Sequence, residues 1–101
     1  MLRRADELSA ATDGAFDVTV GPLVLLWREA RRARTLPTAE RIAEASARVG
    51  WQFVELDATR KTVALARTGM RLDLGGIGKG YACQRALDVL REAGFDRALI
   101  Q

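Results

Sequence analysis

The chain has 101 residues, 49% hydrophobic and 29% charged, which is a globular composition with room for one domain and a modest core. The net charge is +3, with no histidine and one cysteine, so an intrachain disulfide, a Cys–His or Ser–His couple and an ordinary zinc site are excluded within it. No apolar run approaches the roughly 20 residues that cross a bilayer, and the first residues lack the apolar core of a signal peptide.

The first elements along the chain are predicted to be helical. Residues 3–11 read as the end of a helix, which stops at Asp13-Gly14 because glycine takes the left-handed conformation common after helices. Residues 15–20 are predicted to be short and extended. A second helix is predicted to begin at Pro22, since proline suits the first helical turn. Its buried stripe would consist of Leu23, Leu26, Trp27 and Ala30.

This second helix carries a cluster of arginines: Arg28, Arg31, Arg32 and Arg34. Such a cluster can bind nucleic acid or an anionic membrane. No aromatic side chains alternate with these arginines, so bases would have no stacking platform. The pattern favours a solvated helix face and no nucleic-acid partner.

The rest of the chain mixes helices with short strands. Pro37 breaks the chain, and Thr38 is predicted to cap a helix over 39–48 that Gly50 closes. Residues 53–56 and 62–65 predict a β-hairpin joined by the polar turn 57–60. A third strand over 70–74, a helix over 77–93 and a strand starting at residue 97 follow. The face expected to be buried on that last helix consists of Ala82, Ala86, Val89, Leu90 and Ala93. Antiparallel strands with packed helices predict the α+β class.

The stretch from Arg71 to Ala82 is the most informative for chemistry. It places four glycines within six residues between a strand that ends in Asp73 and the start of a helix. Glycines let the backbone approach a ligand closely, and a helix N-terminus favours anions such as phosphate, to which Lys79 adds a charge. The spacing fits neither a Walker loop nor a dinucleotide fingerprint. Taken alone, the segment is equally compatible with a structural turn.

A second segment changes that balance. Residues 12–27 read Thr-Asp-Gly-Ala-Phe-Asp-Val-Thr-Val-Gly-Pro-Leu-Val-Leu-Leu-Trp, and residues 73–82 read Asp-Leu-Gly-Gly-Ile-Gly-Lys-Gly-Tyr-Ala. Together, in this order and separation, they resemble the ApbE family, the FAD:protein FMN transferases. The departures from the family pattern are Val18 for proline, Gly78 for alanine and Cys83 for an aliphatic residue. The resemblance extends over nearly the whole chain and implies the central part of one ApbE-like domain, residues 1–101, truncated at both ends.

The resemblance implies a flavin-nucleotide site. The residues that it assigns to the FAD are Ala15, Phe16, Asp17, Asp73 and Lys79, with Lys79 near the pyrophosphate. It assigns the carbonyl oxygen of Gly76 to a Mg²⁺ ion, for which a hard oxygen ligand is suitable. From the residues alone, a core aromatic is the favoured interpretation of Phe16. Asp17 can be a turn acid or N-cap, and Asp73 can equally be a cap before Gly75.

The reaction implied is the Mg²⁺-dependent transfer of FMN from FAD to a Thr or Ser hydroxyl of an acceptor protein, with release of AMP. Attack by water instead would make the protein an FAD pyrophosphatase. The family's other metal ligands and flavin contacts lie outside these residues, so a catalytically inert flavin-binding or scaffold fragment is the alternative. Family members are periplasmic or anchored to the inner membrane as lipoproteins, and the same location is expected here through an anchor absent from this chain.

Overall fold

The computed structural model describes residues 1–100, which form four helices and one antiparallel hairpin. The helices are α1 (Leu2–Ala11), α2 (Gly21–Ala33), α3 (Ala39–Ser46) and α4 (Gly78–Glu92), and the strands are β1 (Val54–Asp57) and β2 (Thr62–Leu65). A single 3-10 turn, Trp51–Phe53, leads into β1. The predicted α+β class is confirmed.

The connection between α1 and α2 is bent, which corrects the prediction that residues 15–20 are extended. As expected, α1 ends before Asp13 and Gly14, which both have positive φ, at 49° and 77°. The chain then turns at Asp17, whose carboxylate accepts a hydrogen bond from the amide of Thr19 two residues on. Aspartate favours such turns because its short side chain reaches its own backbone.

Helix α2 begins one residue before Pro22, and its Leu26 is buried at 5% exposure. Trp27 was predicted to share that buried stripe, but it is 48% exposed. Among the described residues, the only helix against which α2 packs extensively is α3, so only one side of α2 is covered. Arg41 of α3 and Glu29 of α2 reinforce the contact with a 3.0 Å ion pair.

Thr38 caps α3 as predicted, because its hydroxyl accepts a hydrogen bond from the amide of Arg41 at 3.3 Å. The pKa of Glu40 is lowered below its usual value because its carboxylate accepts hydrogen bonds from the backbone amide of Glu40 itself and from the Thr38 hydroxyl. A negative charge in the first turn suits the positive end of the helix. The helix ends at Ser46, two residues before the predicted end.

Replacing Thr38 with alanine should therefore destabilise the protein by about 1 kcal/mol, the usual cost of losing an N-cap side chain. Urea unfolding of the purified protein would measure this cost. Thr59→Ala is a suitable control, because Thr59 in the hairpin turn is exposed and caps no helix. Equal unfolding midpoints for the two variants would show that the cap contributes nothing.

The hairpin lies where it was predicted, with β1 one residue further along the chain than expected. Val54 pairs with Leu65 and Asp57 with Thr62, and the Asp57 carboxylate accepts hydrogen bonds from the amides of Thr59 and Arg60. The two further strands were predicted wrongly. Within 70–74 only Arg71 forms a β-bridge, a parallel one to Val20, and the described residues from 97 onward form no strand. A strand needs a continuous partner, and in the described part of the chain residues 70–74 have only this bridge and one further hydrogen bond to residues 18–20.

The core is small, and α4 contributes nothing to it. The buried apolar residues are Ala5, Val18, Leu26, Ala45 and Met70. The face of α4 that was predicted to be buried is mostly exposed, with Val89 57% exposed, because α4 packs extensively against no other element of residues 1–100. The radius of gyration is 17.0 Å, against about 13 Å for a compact domain of this length. Within residues 1–100, no helix has both the length and the hydropathy required of a membrane span.

Candidate functional site

The two motif segments meet in the structure. The amide of Asp73 donates a 2.7 Å hydrogen bond to the carbonyl of Val18, and Val20 forms the bridge to Arg71. Phe16, two residues before Val18, contacts the glycine-rich loop: a Cβ on Gly76 would lie 3.3 Å from Cε2 of Phe16. Segments separated by more than fifty residues thus form one surface.

A tight turn after α1 presents Ala15 and Phe16. The hydroxyl of Thr12 donates to the carbonyl of Leu8 at 2.8 Å and accepts from the amide of Phe16 at 3.1 Å, which ties the turn to the helix end. Ala15 is exposed and Phe16 is half-buried, so Phe16 is not the enclosed core aromatic of the alternative interpretation. Both residues are accessible to a ligand.

The carboxylate of Asp17 is engaged within the protein. Its Oδ1 accepts from the amide and the hydroxyl of Thr19, both at 2.7 Å, and its Oδ2 accepts from the amide of Trp51 at 3.1 Å. The hydroxyl of Thr19 in turn accepts from the amide of Gly50 at 2.7 Å, and Thr19 is completely buried. Asp17 therefore stabilises the turn, as the turn-acid interpretation predicted. Its carboxylate still has lone pairs that can accept hydrogen bonds from a ligand.

The sequence interpretation missed Thr19 and the link to Gly50 and Trp51. The Asp-x-Thr spacing is a signal for the local turn, since Asp and Thr side chains often bond the backbone two residues away. Nothing in the sequence pattern pointed to partners more than thirty positions along the chain. That link depends on the tertiary fold.

Asp73 lies where the two segments meet, and its side chain is 23% exposed. Oδ1 accepts a 2.8 Å hydrogen bond from the amide of Gly75, as the capping alternative predicted. Oδ2 lies 3.8 Å from Nη2 of Arg28, a residue that the sequence placed on a solvated helix face. At this distance and exposure the ion pair is worth about 1 kcal/mol or less. Its main consequence is a cation beside the glycine loop.

The glycine loop leads into α4, where no side chain caps the helix N-terminus. Gly75 and Gly76 are exposed, and Lys79 in the first turn is exposed as well. Amide groups at a helix start attract anions, and a lysine adds to that attraction. The loop, the helix start and Lys79 are thus open to a phosphate-bearing ligand.

The side chains of the described residues do not by themselves form a metal site. In residues 1–100 no three His, Cys, Asp or Glu side chains cluster closely enough to hold a metal ion. The exposed Gly76 offers a backbone carbonyl, a hard oxygen ligand of the type that Mg²⁺ accepts. Because Mg²⁺ requires about six oxygen ligands, the rest would have to come from phosphate, water or residues outside this chain.

A groove of about 740 Å³ runs along α2, and none of its lining residues belongs to the glycine loop. Val20, Leu23 and Trp27 line its apolar floor, and Arg31 and Arg34 lie along its rim. Arg28 both lines the groove and lies beside the carboxylate of Asp73. The groove therefore adjoins the candidate site but does not contain it.

Comparison with known proteins gives one consistent result. The ApbE family model matches residues 1–101. An FAD:protein FMN transferase of Klebsiella pneumoniae is 40% identical over 100 residues, which are 99% of this chain and 32% of the relative. One of Haemophilus influenzae is 31% identical over 105 residues, covering all of this chain and 30% of the relative.

Solved structures agree. The crystal structure of the flavinyl transferase ApbE of Pseudomonas stutzeri in its apo form matches with a TM-score of 0.77 and 34% identity, covering 90% of this chain and 29% of that one. The flavin transferase ApbE of Vibrio cholerae matches with a TM-score of 0.81 and 32% identity, covering 92% of this chain and 32% of that one. The chain thus spans about a third of the length of the proteins that it matches.

Proposed function

Because the chain belongs to the ApbE family, we propose that it forms the central, flavin-nucleotide-binding part of a flavin transferase domain. The observation that carries the proposal is the meeting of the two motif segments, at the Asp73–Val18 hydrogen bond and at the Phe16–Gly76 contact. The α+β fold is that of the ApbE structures. The surface between the segments holds an aromatic ring, a carboxylate and exposed backbone, which suit a dinucleotide.

Each residue at this surface has a role in binding FAD. Ala15 and Phe16 contact the flavin nucleotide, and the half-buried ring of Phe16 provides an apolar wall. The Oδ2 atom of Asp73, which lies 3.8 Å from the Arg28 guanidinium, accepts hydrogen bonds from the nucleotide. Lys79 and the uncapped start of α4 attract the pyrophosphate.

The reaction is transfer of the FMN group from FAD to a Thr or Ser hydroxyl of an acceptor protein. The hydroxyl oxygen forms a bond to the phosphorus of the FMN phosphate, the bond from that phosphorus to the bridging oxygen breaks, AMP leaves, and the hydroxyl proton is released. A Mg²⁺ ion held there would neutralise charge on the phosphate oxygens, and the carbonyl of Gly76 would be one of its ligands. The chain's own part is to hold the pyrophosphate and limit its movement.

A second candidate follows from the incomplete metal site. Since the described residues form no three-residue metal cluster, this chain by itself would bind flavin without transferring it. The three candidate functions differ in the products that they form. A complete protein that attaches flavin to an acceptor and releases AMP is a transferase, one that releases FMN and AMP into water is a pyrophosphatase, and one that yields neither product is a binding module.

Asp73→Asn is expected to raise the Kd for FAD about tenfold, which corresponds to roughly 1.4 kcal/mol and to the loss of one charge-assisted hydrogen bond. Asparagine keeps the oxygen that accepts from Gly75, so the turn itself is preserved. Quenching of flavin fluorescence during titration with the full-length protein, with Mg²⁺ and with EDTA, measures the effect.

Asp57→Asn is the matched control, because Asp57 makes the same kind of turn contact in the hairpin. It should leave the Kd within about twofold of the wild-type value. Equal Kd values for the wild type and Asp73→Asn would show that Asp73 does not bind FAD. A full-length protein that binds no FAD would overturn the proposed function altogether.

A further inference from the structure

One side chain outside the motif segments touches the turn that presents Ala15 and Phe16. We propose that Trp51 is a positioning residue for the flavin-binding turn Gly14–Asp17, an inference that rests on the proposed function. Trp51 lies in the 3-10 turn between α3 and the hairpin, more than thirty positions from the turn it supports. It is half-buried, and it makes two separate contacts with the turn.

The first contact is through the backbone. The amide of Trp51 donates to Oδ2 of Asp17 at 3.1 Å, and the preceding amide, of Gly50, donates to the hydroxyl of buried Thr19 at 2.7 Å. These hydrogen bonds from two successive backbone amides hold the backbone at Gly50 and Trp51 against Thr19 and Asp17. The carboxylate of Asp17 thereby joins Thr19 and Trp51 into one network.

The second contact is through the indole ring. A Cβ on Gly14 would lie 3.3 Å from Nε1 and 3.6 Å from Cδ1 of Trp51, so the ring lies against the bare backbone of this glycine. Gly14 has a φ of 77° and follows Asp13, which also has a positive φ. The ring therefore packs on the bend at which the chain leaves α1 and enters the turn.

The position of Phe16 follows from that bend. Phe16 comes two residues after Gly14, and its ring extends to Gly76 on the glycine loop. Without the indole, Gly14 would regain conformations that only glycine adopts freely, and the turn would have to be ordered again when the ligand binds. Preorganisation of a binding loop increases affinity by removing this cost.

The test compares Trp51→Leu with Trp51→Phe in the full-length protein. Leucine keeps apolar bulk but lacks a flat ring, so we expect the KM for FAD to rise about tenfold while kcat stays within about twofold. Phenylalanine restores a flat ring, and its KM should return to within about threefold of the wild-type value. A merely structural role would lower the unfolding midpoint and leave KM unchanged.

Phe95→Leu is the control, since Phe95 is 60% exposed beyond α4 and lies outside both motif segments; its KM should not change. If Trp51→Leu does not fold, hydrogen exchange of the wild-type protein with and without FAD tests the inference instead. FAD should slow exchange of the Trp51 amide about tenfold or more and leave the hairpin amides unaffected. An unchanged KM for Trp51→Leu, or unchanged Trp51 exchange, would overturn the inference. Absence of FAD binding by the wild type would instead overturn the proposed function.

Discussion

Gly21→Ala is expected to destabilise the protein by about 3 kcal/mol, the upper end of the usual cost of overpacking. A Cβ on Gly21 would lie 2.5 Å from the carbonyl oxygen of Arg71 and 2.9 Å from its carbonyl carbon. Both contacts are with backbone, so no side-chain rotation relieves them. The first turn of α2 must move away from Arg71, and the neighbouring bridge between Val20 and Arg71 then breaks.

This substitution should also weaken FAD binding, because the bridge holds the two motif segments together. Urea unfolding and a flavin titration at low temperature, where the variant is folded, would measure the two effects. Gly80→Ala is the matched control for stability: a Cβ there meets nothing within 4 Å, and alanine within a helix is more stable than glycine by about 0.5–1 kcal/mol. If Gly21→Ala were as stable as Gly80→Ala, the close approach at Arg71 would not exist.

Thr19→Val is expected to cost about 2–4 kcal/mol although the two side chains have nearly the same shape. The Thr19 hydroxyl is completely buried, donates to Asp17 and accepts from the amide of Gly50. Valine removes a hydrogen bond to a charged group, worth about 1.5–3 kcal/mol, and leaves the amide of Gly50 without its acceptor, at a cost of about 1–3 kcal/mol. The two terms overlap, so their full sum is not expected.

Thr35→Val separates this effect from the general cost of replacing threonine. The hydroxyl of Thr35 donates to the carbonyl of Ala33 at 3.2 Å in an exposed position, where substitutions change stability by about 0.5 kcal/mol or less. The unfolding free energies of the two variants should therefore differ by at least about 1.5 kcal/mol. A difference below that would mean that water replaces the Thr19 contacts and that the network is not buried in solution.

Local signals predicted most of the fold. Thr38 before an amphipathic stretch predicted α3, and glycine predicted the end of α1. Polar residues between two short apolar runs predicted the hairpin. These predictions are confirmed because each pattern acts within a few residues. The predicted strands over 70–74 and from residue 97 failed for the opposite reason. Strand propensity is realised only when a partner strand is adjacent, and that partner is not encoded locally.

The candidate site shows the same division. The two motif segments, through their resemblance to the ApbE family, pointed to residues that the structure brings together. The roles of Thr19, Trp51 and Arg28 were not apparent, since a threonine, a tryptophan and one arginine among several have no distinctive pattern. Their contacts come from other parts of the chain.

The sequence by itself determined the helices, the hairpin, the glycine-rich helix start and the two segments that bind the nucleotide in our proposal. These features depend on backbone conformation and on hydrogen bonds between near neighbours. Only the tertiary structure decided that Asp17 is tied to Trp51 and that Gly21 lies against Arg71. Such contacts join residues thirty to fifty positions apart, and the packing of the whole chain sets their distances.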